Sequence, residues 1–234
     1  MIKFEICAVN VQSAIAAMEA GAHRIELCAA LDVGGLTPSP GLIQQTVSQL
    51  TIPVNVLIRP REGDFSYTDV EFKVMLDDIH FCRMVGANGV VVGALTPQNV
   101  LDEPRMKAMK DAAGDMEIVC HRAFDFTSDP EQALEKLIEW GYTRVLSSGQ
   151  AANAMEGRFI LQKLVKQAAG RISVMPGAGI SAANIRDIAS ITLASEFHFT
   201  GKKKVSTEQQ PIPGLDSWHW ESDVTLIREI MNAI

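Results

Sequence analysis

Gly21-Ala22-His23-Arg24-Ile25-Glu26-Leu27-Cys28 is the stretch whose reading decides the fold. Ahead of it, Ala14, Ala17, Met18 and Gly21 recur at helical spacing. Within it, apolar Ile25 and Leu27 alternate with Arg24, Glu26 and Cys28. The stretch is therefore the end of an amphipathic helix that turns directly into a strand. Glycine suits such a junction, because it takes the left-handed conformation that ends a helix without a Cβ clash. The same junction recurs at Gly86-Ala87-Asn88-Gly89-Val90-Val91-Val92, at Gly141-Tyr142-Thr143-Arg144-Val145-Leu146 and at Gly170-Arg171-Ile172-Ser173-Val174.

Working outward, strand-like runs are predicted over Ile2–Cys7, Arg24–Cys28, Val54–Arg59, Gly89–Gly93, Glu117–His121, Arg144–Ser148, Ile172–Met175 and Glu196–Phe199. Amphipathic stretches lie between them, such as Met75, Ile79, Cys82 and Val85, or Leu134, Leu137, Ile138 and Gly141. Helix starts are marked by Asn10, by Ser128-Asp129-Pro130 and by Ser181. Strands alternating with helices imply a parallel sheet with helical crossovers. Eight such units in 234 residues favour closure into one single-domain (β/α)8 TIM barrel over 1–234, a fold that typically takes ~250 residues. The alternative is a doubly wound open sheet, but no Gly-x-Gly-x-x-Gly follows the first strand, which argues against its dinucleotide-binding version.

The chain is 47% hydrophobic with a net charge of -7. That balance argues against nucleic acid or an anionic membrane surface as partner. The run Lys202-Lys203-Lys204 reads as a solvated loop. No apolar run reaches the roughly 20 residues of a membrane span. The charged start Met1-Ile2-Lys3-Phe4-Glu5 reads as a strand rather than a signal peptide. Cys7, Cys28, Cys82 and Cys120 are widely spaced and read as reduced thiols of a cytoplasmic protein.

Alternation along the strands gathers Glu5, Cys7, Glu26, Cys28, Arg59, His121 and His198 on one interior face. Buried charge is costly unless paired, so this is either an ion-pair plug or a polar pocket at the strand ends, where barrel sites lie. Cys7 and Cys28 end neighbouring strands, which run ~4.8 Å apart, and soft thiolates suit Cu(I). From spacing alone they read sooner as two inert buried side chains, as Cys82 and Cys120 do. Pro176-Gly177-Ala178-Gly179-Ile180 after the seventh strand, with Thr200 and Gly201 after the eighth, fits an anion-binding loop or a plain turn. His121, Arg122 and Asp125 place a base, a cation and a carboxylate in one loop, either for acid–base work or to brace it.

The chain resembles the CutC copper-homeostasis family over almost its whole length. The resemblance rests on Glu5-Ile6-Cys7, the Gly21–Cys28 stretch, Gly34-Gly35-Leu36-Thr37-Pro38-Ser39, Ile58-Arg59-Pro60-Arg61 with Gly63-Asp64-Phe65, Cys120-His121-Arg122-Ala123-Phe124-Asp125, Leu146-Ser147-Ser148-Gly149 and Met175–Ile180. It implies a (β/α)8 barrel, a role in copper handling and Cu(I) on Cys7 and Cys28. The stretch Glu208–Glu221, with Trp218-His219-Trp220, matches no motif of the family, and nothing is carried over for it.

Two functions compete. In one, the chain binds Cu(I) through Cys7 and Cys28, with Glu26 or His198 as a third ligand, for storage, trafficking or tolerance. In the other it is an enzyme on a small anionic or phosphorylated metabolite. There Arg59 and the Gly177–Gly179 loop hold the anion, while His121 with Glu26 or Asp125 moves protons. The residues alone lean to the enzyme, because a two-thiol carrier needs neither the histidine nor the arginines. The resemblance leans to copper. A surface carrying Trp218 and Trp220 would bury itself in a homodimer or close over the barrel as a lid.

Overall fold

The computed structural model describes residues 2–206 and 217–234. In chain order the barrel runs β1 (Lys3–Ala8), α1 (Val11–Ala20), β2 (Arg24–Leu27), α2 (Pro40–Gln49), β3 (Val54–Leu57), α3 (Asp69–Met84), β4 (Gly89–Val92) and α4 (Glu103–Ala113). It continues with β5 (Glu117–Cys120), α5 (Pro130–Glu139), β6 (Arg144–Ser147), α6 (Arg158–Ala168), β7 (Ser173–Pro176), α7 (Ile185–Thr192) and β8 (Glu196–Phe199). A hairpin of β9 (Lys202–Ser206) and β10 (Trp218–Ser222) precedes α8 (Val224–Asn232).

The strands pair in parallel in the order β7-β6-β5-β4-β3-β2-β1-β8, and β7 lies against β8 to complete a nearly closed barrel. The ladder from β8 to β1 rules out an open doubly wound sheet. The four junction glycines take positive φ, from 75° at Gly141 to 94° at Gly21. Asn10 and Asp129 cap α1 and α5 by accepting from Ser13 N–H and Gln132 N–H, with Pro130 opening α5. Ser181 does not cap α7. It opens a turn ahead of the helix, and Asn184 stands at the N-cap.

Alternation divides the core in two. Ile6, Ile25, Leu27, Val56, Val90, Ile118 and Phe197 face outward and pack under the helices, together with Cys82 and Cys120. Inside the barrel, Cys7, Cys28, Leu57, Val91 and Val119 form an apolar cluster. Leu146 and Met175 also face inward, the latter against Arg24, and charged and polar side chains share the interior with them. Cys28, Arg59, His121 and Ser148, predicted as strand ends, stand one or two residues beyond them. Cys28 N–H and His121 N–H still continue the ladder, donating to Ala8 and Val92 carbonyls.

Two expectations for the chain after β8 change. Lys202-Lys203-Lys204 is a strand rather than a loop, with Lys203 and Lys204 exposed to solvent as expected. Lys202 and Lys204 lie 3.8 Å from the centres of the Trp220 and Trp218 rings, and Lys203 turns the other way to Asp223. Trp220 Nε1 donates to Asp32, so the hairpin is fastened beside the loop after β2. Residues 207–216, which take in the first part of the unmatched segment, lie outside the described residues. Among the described residues, no helix is long and apolar enough to cross a membrane.

Candidate ligand site at the barrel mouth

The interior is built in two layers. In the deeper one, Glu5 stands opposite Arg24 on one side and His198 on the other. Arg24 donates through Nε to Glu5 and through Nη2 to Glu196, each at 2.5 Å, and Arg144 pairs with Glu117. His198 Nδ1 meets the second Glu5 oxygen at 2.8 Å. Burial alone would raise the Glu5 pKa, but His198 and Arg24 outweigh it and hold the carboxyl at about 2. This layer is the ion-pair plug, and Glu5 belongs to it.

Above the plug lies a cavity of about 400 Å3 at the C-terminal ends of the strands. Cys7, Glu26, Cys28, Arg59, His121 and His198 line its floor and sides. The Cys7 and Cys28 sulfurs are 3.4 Å apart, both are buried, and both thiols are free. The contact with Cys28, then burial, pushes the Cys7 thiol well above its ordinary pKa. Donor atoms of Cys7, Glu26 and His198 also come within 4.8 Å of one another. Cys28 touches Cys7 but stands outside that trio. Burial raises Glu26 to about 7, against the pull of His198, and its Oε2 has no hydrogen-bond partner among the described residues.

His121 is not placed as a base. Its Nδ1 accepts from Ala123 N–H at 3.1 Å, so the ring is neutral and carries its proton on Nε2. Burial, then the nearby Arg59 charge, lowers its pKa to about 3. Among the described residues nothing accepts from Nε2. Arg59 donates to the carbonyls of Val33, Gly35 and Gly63, which pins the loops after β2 and β3, while its buried Nε has no partner among the described residues.

Asp125 is not brought to the cavity. Its carboxylate accepts from Arg122 Nε, from Ser147 and Ser148 hydroxyls, and from the Ser148 and Gln150 N–H groups. It braces the loop, the second of the two roles read from the sequence. In the glycine loop, Gly177 N–H is taken by the Ser147 carbonyl. Ala178, Gly179, Ile180 and Thr200 line the cavity, whereas Gly201 packs under Ile227 outside it. Sequence reasoning missed Phe65 and Lys202 as wall residues. Phe65 stacks 5.0 Å from His121 and takes Arg59 over its ring, a role only its place in an irregular loop hinted at.

Fold and site together define a (β/α)8 barrel protein with an open cavity of mixed polar and apolar lining and a thiol pair at the strand ends. The CutC family model matches residues 2–203, and the chain belongs to that family. Relatives named as CutC family proteins include one from Xanthomonas campestris pv. campestris, 44% identical over 98% of both chains. Another from Pasteurella multocida is 41% identical over 100% of this chain and 99% of its own. The crystal structure of a CutC protein from Streptococcus agalactiae is 34% identical, covers 86% of this chain and 99% of its own, and superposes with a TM-score of 0.81. Phosphoribosylanthranilate isomerase from Thermotoga maritima, at 13% identity and TM-score 0.59, shares the fold.

Proposed function

We propose that this chain binds Cu(I) through Cys7 and Cys28 and serves copper homeostasis in the cytoplasm. The observation that carries the reading is the contact between two free, buried sulfurs at 3.4 Å on the cavity wall. Two thiolates so placed suit a soft ion of low coordination number. His198 supports the reading. Its Nδ1 is held by ionised Glu5, so Nε2 is the nitrogen that would face the ion. Burial opposes a proton on the ring, but nearby Glu26 and Glu5 favour one, and the ion must displace it. A ligand histidine held by a carboxylate in this way is oriented and made more basic. The Streptococcus agalactiae relative is named for copper homeostasis.

Cys7 holds a proton in the metal-free protein, so loading the ion must expel it. Affinity should therefore rise by at least about tenfold per pH unit through the neutral range. An anaerobic titration against a chromophoric Cu(I) chelator tests the assignment. One equivalent should bind, and Cys7→Ser or Cys28→Ser should remove most of the affinity. Cys82→Ser and Cys120→Ser should leave it unchanged, because both thiols lie outside the barrel interior. If the Cys7→Ser/Cys28→Ser protein retains one tightly bound Cu(I), the assignment is wrong.

A further inference from the structure

The cavity is larger than a bound ion requires. Its volume of about 400 Å3 falls in the range of small-molecule sites, roughly 300–1,000 Å3. Arg59 and Lys202 line it, with Arg122 paired to Asp125 at its edge, against Glu26 as the lining carboxylate. Such a mouth accommodates an anion beside the thiols.

Two groups on opposite sides of the mouth have donors to spare. On the β5 side, His121 presents Nε2–H, buried and without an acceptor among the described residues. A buried donor left unpaired is costly, and a ligand oxygen that accepts from it recovers that cost. Because Nδ1 is occupied by Ala123 N–H, His121 can polarise an oxygen but cannot take its proton. Arg59 Nε is a second unpaired buried donor. On the β7–β8 side, the N–H groups of Ala178, Gly179, Ile180 and Thr200 have no acceptor among the described residues. Ala178 and Gly179 both take positive φ, at 70° and 72°. Consecutive N–H groups in a loop of this kind make an anion cradle.

We propose that the barrel mouth binds a small organic phosphate, distinct from the thiol-bound ion. The phosphate lies on the N–H groups of Ala178–Ile180 and Thr200. A carbonyl or carboxylate oxygen a few bonds away accepts from His121 Nε2. Recognition at both ends selects a short metabolite over inorganic phosphate.

Calorimetry on the full metal-free chain under reducing conditions tests this, with 2-phosphoglycolate and inorganic phosphate as probes. 2-Phosphoglycolate should bind at one equivalent, about tenfold or more tighter than phosphate, the worth of one added hydrogen bond to a charged group. His121→Phe should bring it down to the phosphate level, and His121→Gln, which keeps an N–H within reach, should restore most of the difference. Cys7→Ser/Cys28→Ser should leave both affinities unchanged, which separates this site from the copper assignment. In the parent protein, the 15N signal of His121 Nε2 should move on adding 2-phosphoglycolate, an observation that needs no variant to fold. No saturable binding of 2-phosphoglycolate, or binding that leaves the Nε2 signal in place, overturns the proposal.

Discussion

At His121 one backbone contact settles the chemistry of a side chain. The Ala123 N–H occupies Nδ1, so the buried ring stays neutral, and its pKa falls to about 3. In the unfolded chain the ring titrates near its ordinary value of 6.5. Below that pH the unfolded chain takes up a proton that the folded chain refuses, so stability falls as pH falls and goes on falling towards pH 3. The slope amounts to at most about 1.4 kcal/mol per pH unit. Urea unfolding of the parent and of His121→Gln at pH 6.5 and pH 4.5 checks this. The parent should lose roughly 2–3 kcal/mol more than the variant over that interval. Equal losses would mean that the folded protein accepts the proton. The alternation of the fifth strand put His121 on the interior face, but the sequence could not show which nitrogen would be free. That depends on the five-residue 3-10 helix Arg122–Phe126, which begins immediately after it.

β4 shows how an element makes room for its neighbours. Its inward positions run Gly89, Val91, and then Gly93 just past its end. A Cβ on Gly93 would come 2.6 Å from His121 Cε1 and 2.7 Å from Nδ1, and one on Gly89 would come 2.4 Å from Asn55 Oδ1. The glycines let side chains of β3 and β5 lean across the interior. Gly93→Ala should therefore destabilise the protein by about 1–3 kcal/mol, the usual range for overpacking, and weaken any ligand contact made by His121. Unchanged stability and an unmoved Nε2 signal would show that the ring has slack to give. Period-two alternation made strand faces legible, so the buried set from Glu5 to His198 could be named from the sequence. Partnerships across strands could not, because they depend on register. Glu5 faces Arg24 and His198 only because β1 is flanked by β2 and β8 in that alignment. For the same reason the sequence left two roles open for Asp125, since its partners Ser147 and Ser148 come from the end of β6. The lysine run was misread because its period-two pattern carries charge on both faces, and the tryptophans under Lys202 and Lys204 come from β10, 14 or more residues on.

Across the whole molecule, the glycine junction marked four helix-to-strand units and the remaining strand-like runs brought the count to eight, and eight units close a barrel. Closure then sorts the interior by depth. Ion pairs fill the end where the strands begin, and the end where they finish is left open, with thiols, an orphan imidazole and free N–H groups around one cavity. That division explains how one interior can hold both a structural plug and a site, which the sequence offered only as alternatives. If the thiol pair holds the metal, X-ray absorption at the copper edge, on protein loaded with one equivalent of Cu(I) under reducing conditions, should show two sulfur neighbours and at most one nitrogen or oxygen at bonding distance. The sulfur signal should be lost in Cys7→Ser/Cys28→Ser. A shell of nitrogen and oxygen alone, or two sulfurs that persist in that variant, would contradict that assignment.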